Sequence, residues 1–180
     1  GKINMVVAIA ELSTLYPPKE EDVIVNYGSC ATKNCAVGSI FMCNKIVEEL
    51  TARTFYPDML YQHPFAEACL HTVEKEKLEN LADDCIYDME AAAFYQGAAF
   101  YYGPHQMLFL KVVTDHGDIH AENPKEFQKR FCNIMNQAGE EITAYLDEKL
   151  QTNTQEKEWK LAMQETAFED RVRQLAEDLH

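Results

Sequence analysis

Apolar positions along the chain follow helical spacing in some segments and form compact runs in others. Residues 3–16 carry Met5, Ile9, Leu12 and Tyr16 on one predicted helix face, and Pro17-Pro18 ends that segment. The run from Asp22 to Gly28 (Val-Ile-Val-Asn-Tyr in between) predicts a short buried strand, followed by a small-residue loop from Ser29 to Val37. Gly38–Cys43 predicts a second strand. Residues 51–64 hold Pro57, Pro64 and several aromatics and read as irregular. Phe65, Cys69 and Val73 are spaced as the start of a further helix that runs into the charged stretch 74–84.

Asp84–Tyr87 is the third predicted strand, and an alanine-rich helix follows from Met89 to about Tyr102, closed by Gly103-Pro104. Met107–Thr114 gives the clearest strand, almost wholly apolar as a strand covered on both faces must be. Phe127, Phe131, Ile134, Ala138, Ile142 and Tyr145 mark an amphipathic helix over roughly 125–150. Beyond the polar gap Gln151–Thr154, Leu161, Phe168, Val172, Leu175 and Leu179 mark a last helix. Strands alternating with helices predict an α/β fold with a largely parallel sheet.

Composition narrows the functional classes. The 180 residues carry a formal charge of −14, with 47% apolar and 11% aromatic residues. That content excludes a disordered chain. The acidic balance argues against nucleic acid as a partner, because phosphates require a lysine and arginine surplus. No apolar run approaches a membrane span, and the stretch after Gly1-Lys2-Ile3-Asn4-Met5 runs into Glu11, unlike a signal peptide. The 6 cysteines include no CxxC pair and sit inside apolar runs such as Ile40–Cys43. They read as reduced, buried small hydrophobes in a cytoplasmic protein, with a zinc site or a catalytic thiol as alternatives.

Three strand ends carry candidate chemistry, and in such sheets ligands gather at the carboxyl ends of strands. Gly28-Ser29-Cys30-Ala31 would let backbone approach a ligand, although a tight turn accounts for the same pattern. Asp88-Met89-Glu90-Ala91-Ala92-Ala93 fits helix capping by Asp88, or a carboxylate, Glu90, that accepts hydrogen bonds from a diol such as a ribose. In Val112-Val113-Thr114-Asp115, the carboxylate leaves an apolar strand partly desolvated, which suits a general acid near neutral pH; a loop or cap role is the alternative. His116 and His120 with Asp115 and Asp118 have metal-ligand spacing only if helical, and Gly117 argues against that; no metal and no cofactor is assigned.

Together these junctions resemble the purine nucleoside phosphorylase and nucleosidase superfamily, and within it the branch that hydrolyses methylthioadenosine and S-adenosylhomocysteine. The matching stretches are Gly1–Asn4, Val23–Ala31, Val37–Ile40, Asp88–Ala93 and Lys111–Asp115, so the likeness covers about residues 1–150 and leaves 151–180 as an extra C-terminal helix. It implies a three-layer fold with a mixed, mostly parallel sheet flanked by helices. In the family, a segment with a water-activating glutamate precedes the Gly1-Lys2 match, so the resemblance implies an N-terminally incomplete domain. It further implies that Asp115 donates a proton to purine N7, aided by Thr114, while Glu90 holds the ribose hydroxyls and Met89 packs on the sugar. Ser29 would lie beside the anomeric carbon. The implied ligand is a small-molecule purine nucleoside within methionine salvage, and the implied assembly a homodimer. Hexameric phosphorylases commonly place an arginine where this chain has Asn26, which favours water over phosphate as nucleophile. A phosphorylase of the same fold and a non-catalytic nucleoside-binding homologue are the alternatives.

Overall fold

Strand β6, Met107–Asp115, is buried at every residue from Met107 to Thr114. It pairs in parallel with β1, Ile24–Ala31, and antiparallel with the start of β2, Ile40–Glu48. A strand bonded on both edges and covered on both faces explains the unbroken apolar sequence. Fully burying one Phe, Leu or Val side chain contributes about 1.5–3 kcal/mol, and Phe109, Leu110, Val112 and Val113 are all fully buried.

The computed structural model describes residues 1–75, 81–117 and 123–149. Helix α1, Lys2–Leu15, precedes β1. After β2 come β3 (Arg53–Phe55), β4 (Ala66–Thr72), β5 (Cys85–Asp88) and helix α2 (Ala91–Ala98). A 3-10 turn at Pro104–Gln106 leads into β6, and helix α3 occupies 124–149. The sheet order is β3-β2-β4-β5-β1-β6, and the β2–β6 pairing closes five of the strands into a ring. One edge of β2 is shared: Ile40–Met42 bond to β6 and Ile46–Glu48 to β3. The long ladders, β1–β6, β2–β4 and β4–β5, are parallel. The fold is therefore the expected mixed α/β architecture.

Helices α1 and α2 cover one face of the sheet. Ala91, Ala92, Phe94 and Ala98 of α2 join Ile9 of α1 in the core with Ile46, Leu70, Phe109 and Val113. Gly97 lets the two helices approach, since a Cβ there would meet Ile9 Cδ1 at 3.4 Å and the Val6 backbone at 3.5 Å.

Several expectations require correction. The helix expected from Phe65 is strand β4: Ala66, Glu67, Ala68 and Leu70 favour helix locally, but parallel pairing with both β2 and β5 decides the outcome. The expected loop at Ser29–Ala31 belongs to β1, because Ser29 and Cys30 pair with Val112 and Val113. The irregular stretch 51–64 contains β3, reached through Ala52 in the left-handed region at φ 55°. On α1, Ile9 is buried, but Leu12 and Tyr16 are 45% and 71% exposed; Ser13, on the same side as Ile9, is buried in their place. Helix α2 ends at Ala98 instead of Tyr102, with the Tyr101 and Tyr102 amides closing back onto the Ala98 carbonyl.

The chain divides into two compact units, Gly1–Ile142 and Thr143–His180. Everything below concerns the first; the expected last helix over 155–180 lies outside the described residues. No helix among the described residues is long and apolar enough to cross a membrane.

Candidate active site

Parallel pairing aligns the ends of β1 and β6. The register runs Ser29↔Val112 and Cys30↔Val113, then shifts so that Ala31 faces Asp115. Strand β5 touches β1 only at Ala31↔Tyr87, the last residue of β1 and the last but one of β5. The carboxyl ends of β1, β5 and β6 thus converge, and a cleft of about 200 Å³ opens where they meet. Ser29, Met89, Glu90, Thr114 and Asp115 all line it. These are the five residues singled out in the sequence, drawn from segments up to 86 positions apart and gathered in one cleft.

Asp115 is held by its neighbours. Thr114 Oγ1 donates to Asp115 Oδ2 at 2.9 Å, and the Gly117 amide donates to Oδ1 at 2.9 Å. The Thr32 amide donates to the Asp115 carbonyl, and Arg130 Nη1 on α3 donates to the Thr114 carbonyl at 2.8 Å. Thr114 itself is buried, while the Asp115 carboxylate is partly exposed to the cleft. Both carboxylate oxygens are thus anchored at the mouth of an apolar strand, an arrangement suited to moving a proton at a fixed position.

Glu90 sits at the N-cap of α2 with its side chain 34% exposed, and Gly1 at the start of α1 places its nitrogen 3.6 Å from Glu90 Oε1. Capping of α2 is supplied from two residues earlier. Asp88 Oδ2 accepts the Ala91 amide at 2.9 Å, and Asp88 Oδ1 accepts Thr72 Oγ1 at 2.7 Å, whose oxygen in turn accepts the Ala92 amide. Glu90 is left facing the cleft. Its carboxylate accepts hydrogen bonds only, which is the property a vicinal diol requires of its partner.

The Asp88 carboxylate also meets Lys111 Nζ at 2.9 Å, with side chains only 2% and 4% exposed. The sequence reading missed this pair, although the signal was present: a lysine inside the most apolar strand needs a buried partner. Gly28 on β1 leaves room for it, since a Cβ there would stand 3.2 Å from Lys111 Nζ. The reading also missed the aromatic part of the cleft lining. Phe127 and Phe131, taken from periodicity as packing positions of α3, line the cleft with their ring centroids 5.9 Å apart, and Val73 and Tyr87 add further apolar surface.

Two chemical alternatives lose ground. Burial pushes the thiol of Cys30, one of the lining residues, far up, and the Cys43 thiol likewise, so neither supplies a thiolate nucleophile. His116 directs Nδ1 to the Thr32 carbonyl at 2.7 Å, while Asp118 and His120, its companions in the metal reading, lie outside the described residues.

The fold is a mixed α/β one whose strand ends converge on a carboxylate-lined cleft. The family model of the phosphorylase superfamily matches residues 22–150, and the chain belongs to that superfamily. A search of the curated proteins finds no significant match. Among solved structures, the chain is similar to a 5'-methylthioadenosine/S-adenosylhomocysteine nucleosidase from Streptococcus pneumoniae holding a transition-state inhibitor, with 17% identity and TM-score 0.63 over 81% of this chain and 76% of that one. The Helicobacter pylori nucleosidase of the same name superposes with TM-score 0.65 at 9% identity, over 82% and 76% of the two chains. A Chlamydia trachomatis relative gives 0.59 at 17% identity, over 81% and 73%.

Proposed function

We propose that the protein is a purine nucleosidase that hydrolyses the N-glycosidic bond of methylthioadenosine, S-adenosylhomocysteine or a related nucleoside. The observation that carries this reading is the cleft itself: Asp115, Glu90 and Ser29 line it together with Phe127 and Phe131. Asp115 would protonate N7 of the base, with the Thr114 hydroxyl steadying the carboxyl group. The glycosidic bond then breaks with its electrons passing to the protonated base, leaving an oxocarbenium-like ribose that water captures. Glu90 would hold the ribose hydroxyls, Met89 would pack on the sugar, and Ser29 would lie beside the anomeric carbon. The two phenylalanines suit an apolar alkylthio substituent better than a charged one. Asn26 is buried in β1 and does not line the cleft, in keeping with water as the attacking group.

Incubation with methylthioadenosine, S-adenosylhomocysteine, adenosine and inosine, with and without phosphate, tests the reading. Free base is expected from the thio-substituted nucleosides without phosphate. Strict phosphate dependence would make the protein a phosphorylase instead. Tight binding without release would make it a non-catalytic nucleoside-binding homologue.

The reading extends to a homodimer in the cytoplasm, acting in methionine salvage. All six cysteines are free thiols, as a reducing compartment maintains. Helix α1 supports self-association, because Ile3, Val7 and Leu15 are 80%, 58% and 65% exposed on an apolar surface. Light scattering should give twice the chain mass for the native protein, and Val7→Glu should shift it to monomer; a native monomer would remove the dimer.

A further inference from the structure

Outside the cleft lining, β4 and β5 bring together three side chains that the nucleoside reading does not use. Cys69 and His71 stand two apart on β4 and so point to the same face of the sheet. Cys85 on β5 is the register partner of Cys69. One ligand atom from each of the three lies within 4.8 Å of the others. All three residues are partly buried: accessible to an ion from solvent, yet carried on paired strands whose backbone is already fixed.

We infer that Cys69, His71 and Cys85 form a zinc site riveting β4 to β5. Two thiolates and an imidazole are the donors that Zn²⁺ selects, and tetrahedral coordination at its usual bond lengths needs donor separations of about 3.5–3.8 Å. Side-chain rotations of about 1 Å reach that from the observed spacing. The ion displaces one proton from each thiol, so its two positive charges are neutralised by two thiolates and no net charge is buried. Glu49 Oε1 lies 3.3 Å from His71 Nδ1, placing a carboxylate where it fixes the orientation of the ring, as partners of metal-bound histidines do. Water completes the coordination. The His71 ring is 5.5 Å from that of Tyr87, and Tyr87 on β5 lines the cleft together with Val73, which follows the end of β4. The metal therefore stiffens the wall of the cleft without entering it.

The test uses the full chain, reduced and stripped of metal, titrated with Zn²⁺ and, for its absorption, Co²⁺. One equivalent of tight Zn²⁺ binding is expected, with thiolate-to-cobalt charge-transfer absorption from the substituted protein. Alkylation followed by mass spectrometry should show two of the six thiols protected by zinc, at Cys69 and Cys85. Cys69→Ser and Cys85→Ser should abolish stoichiometric uptake, and Glu49→Gln should weaken it about 10–100-fold. The native-protein measurements stand even where a variant misfolds. Absence of uptake by the reduced protein, protection at other cysteines, or a Cys69–Cys85 disulfide that excludes metal under reductant would each overturn the site.

Discussion

Asp115→Asn is expected to lower turnover about 100- to 10,000-fold, the range that a positioned general acid contributes, while leaving KM within a few-fold of native. The substitution is close to isosteric. The amide oxygen can still accept the Gly117 amide, and the Thr114 hydroxyl, now a donor to Asp115 Oδ2, can rotate to accept from the new NH₂ group. What disappears is the transferable proton. A nucleoside whose base leaves readily without protonation should therefore lose much less rate than methylthioadenosine does. Steady-state kinetics with both nucleosides measures both effects. Near-native turnover, or a loss carried by KM alone, would remove Asp115 from the chemistry.

The elements around this acid differ in how legible they are from sequence. Strand β6 declares itself because burial on both faces leaves no position for polar residues except Lys111 and the exit at Thr114-Asp115. Helix α3 declares itself by periodicity, and its inward positions Ala138 and Ile142 are buried as the spacing requires. Strand β4 does not. It is exposed at Ala66 and Glu67, buried only at Leu70 and Thr72, and built from small and helix-favouring residues, so its sequence shows neither a clear period of two nor an apolar run. The same gap concealed the Cys69–His71–Cys85 cluster, since a ligand spacing of two is meaningful only on a strand. The five cleft residues were legible as motifs at three junctions, and the register of β1 against β6 explains their convergence. The aromatic part of the lining was not legible, because nothing local distinguishes Phe127 and Phe131 from core-facing positions of α3.

Lys111→Met should destabilise the fold by about 3–5 kcal/mol, the usual consequence of removing one member of a buried ion pair. For a chain of this size, about 2–4 °C per kcal/mol corresponds to a fall in Tm of roughly 6–20 °C. The reason lies with the partner left behind. Asp88 receives three donors, Lys111 Nζ, Thr72 Oγ1 and the Ala91 amide, and only the first neutralises its charge. Without it, a carboxylate 2% exposed keeps two neutral hydrogen bonds and no counter-charge. Asp88→Asn combined with Lys111→Met should recover part of the loss, because the neutral amide needs no cation and its oxygen still caps α2. That sign of coupling separates a charge effect from lost packing, since Met conserves most of the lysine stem. Asp88 fixes the first turn of α2, next to which Met89 and Glu90 line the cleft, so Lys111→Met should also raise KM and the double variant, which keeps the cap, should restore part of it. Thermal denaturation of the two variants measures the first effect and nucleoside kinetics the second. A Lys111→Met protein within 1 kcal/mol of native, or a double variant no more stable than the single, would mean that Lys111 reaches solvent and that the α2 cap stands without it.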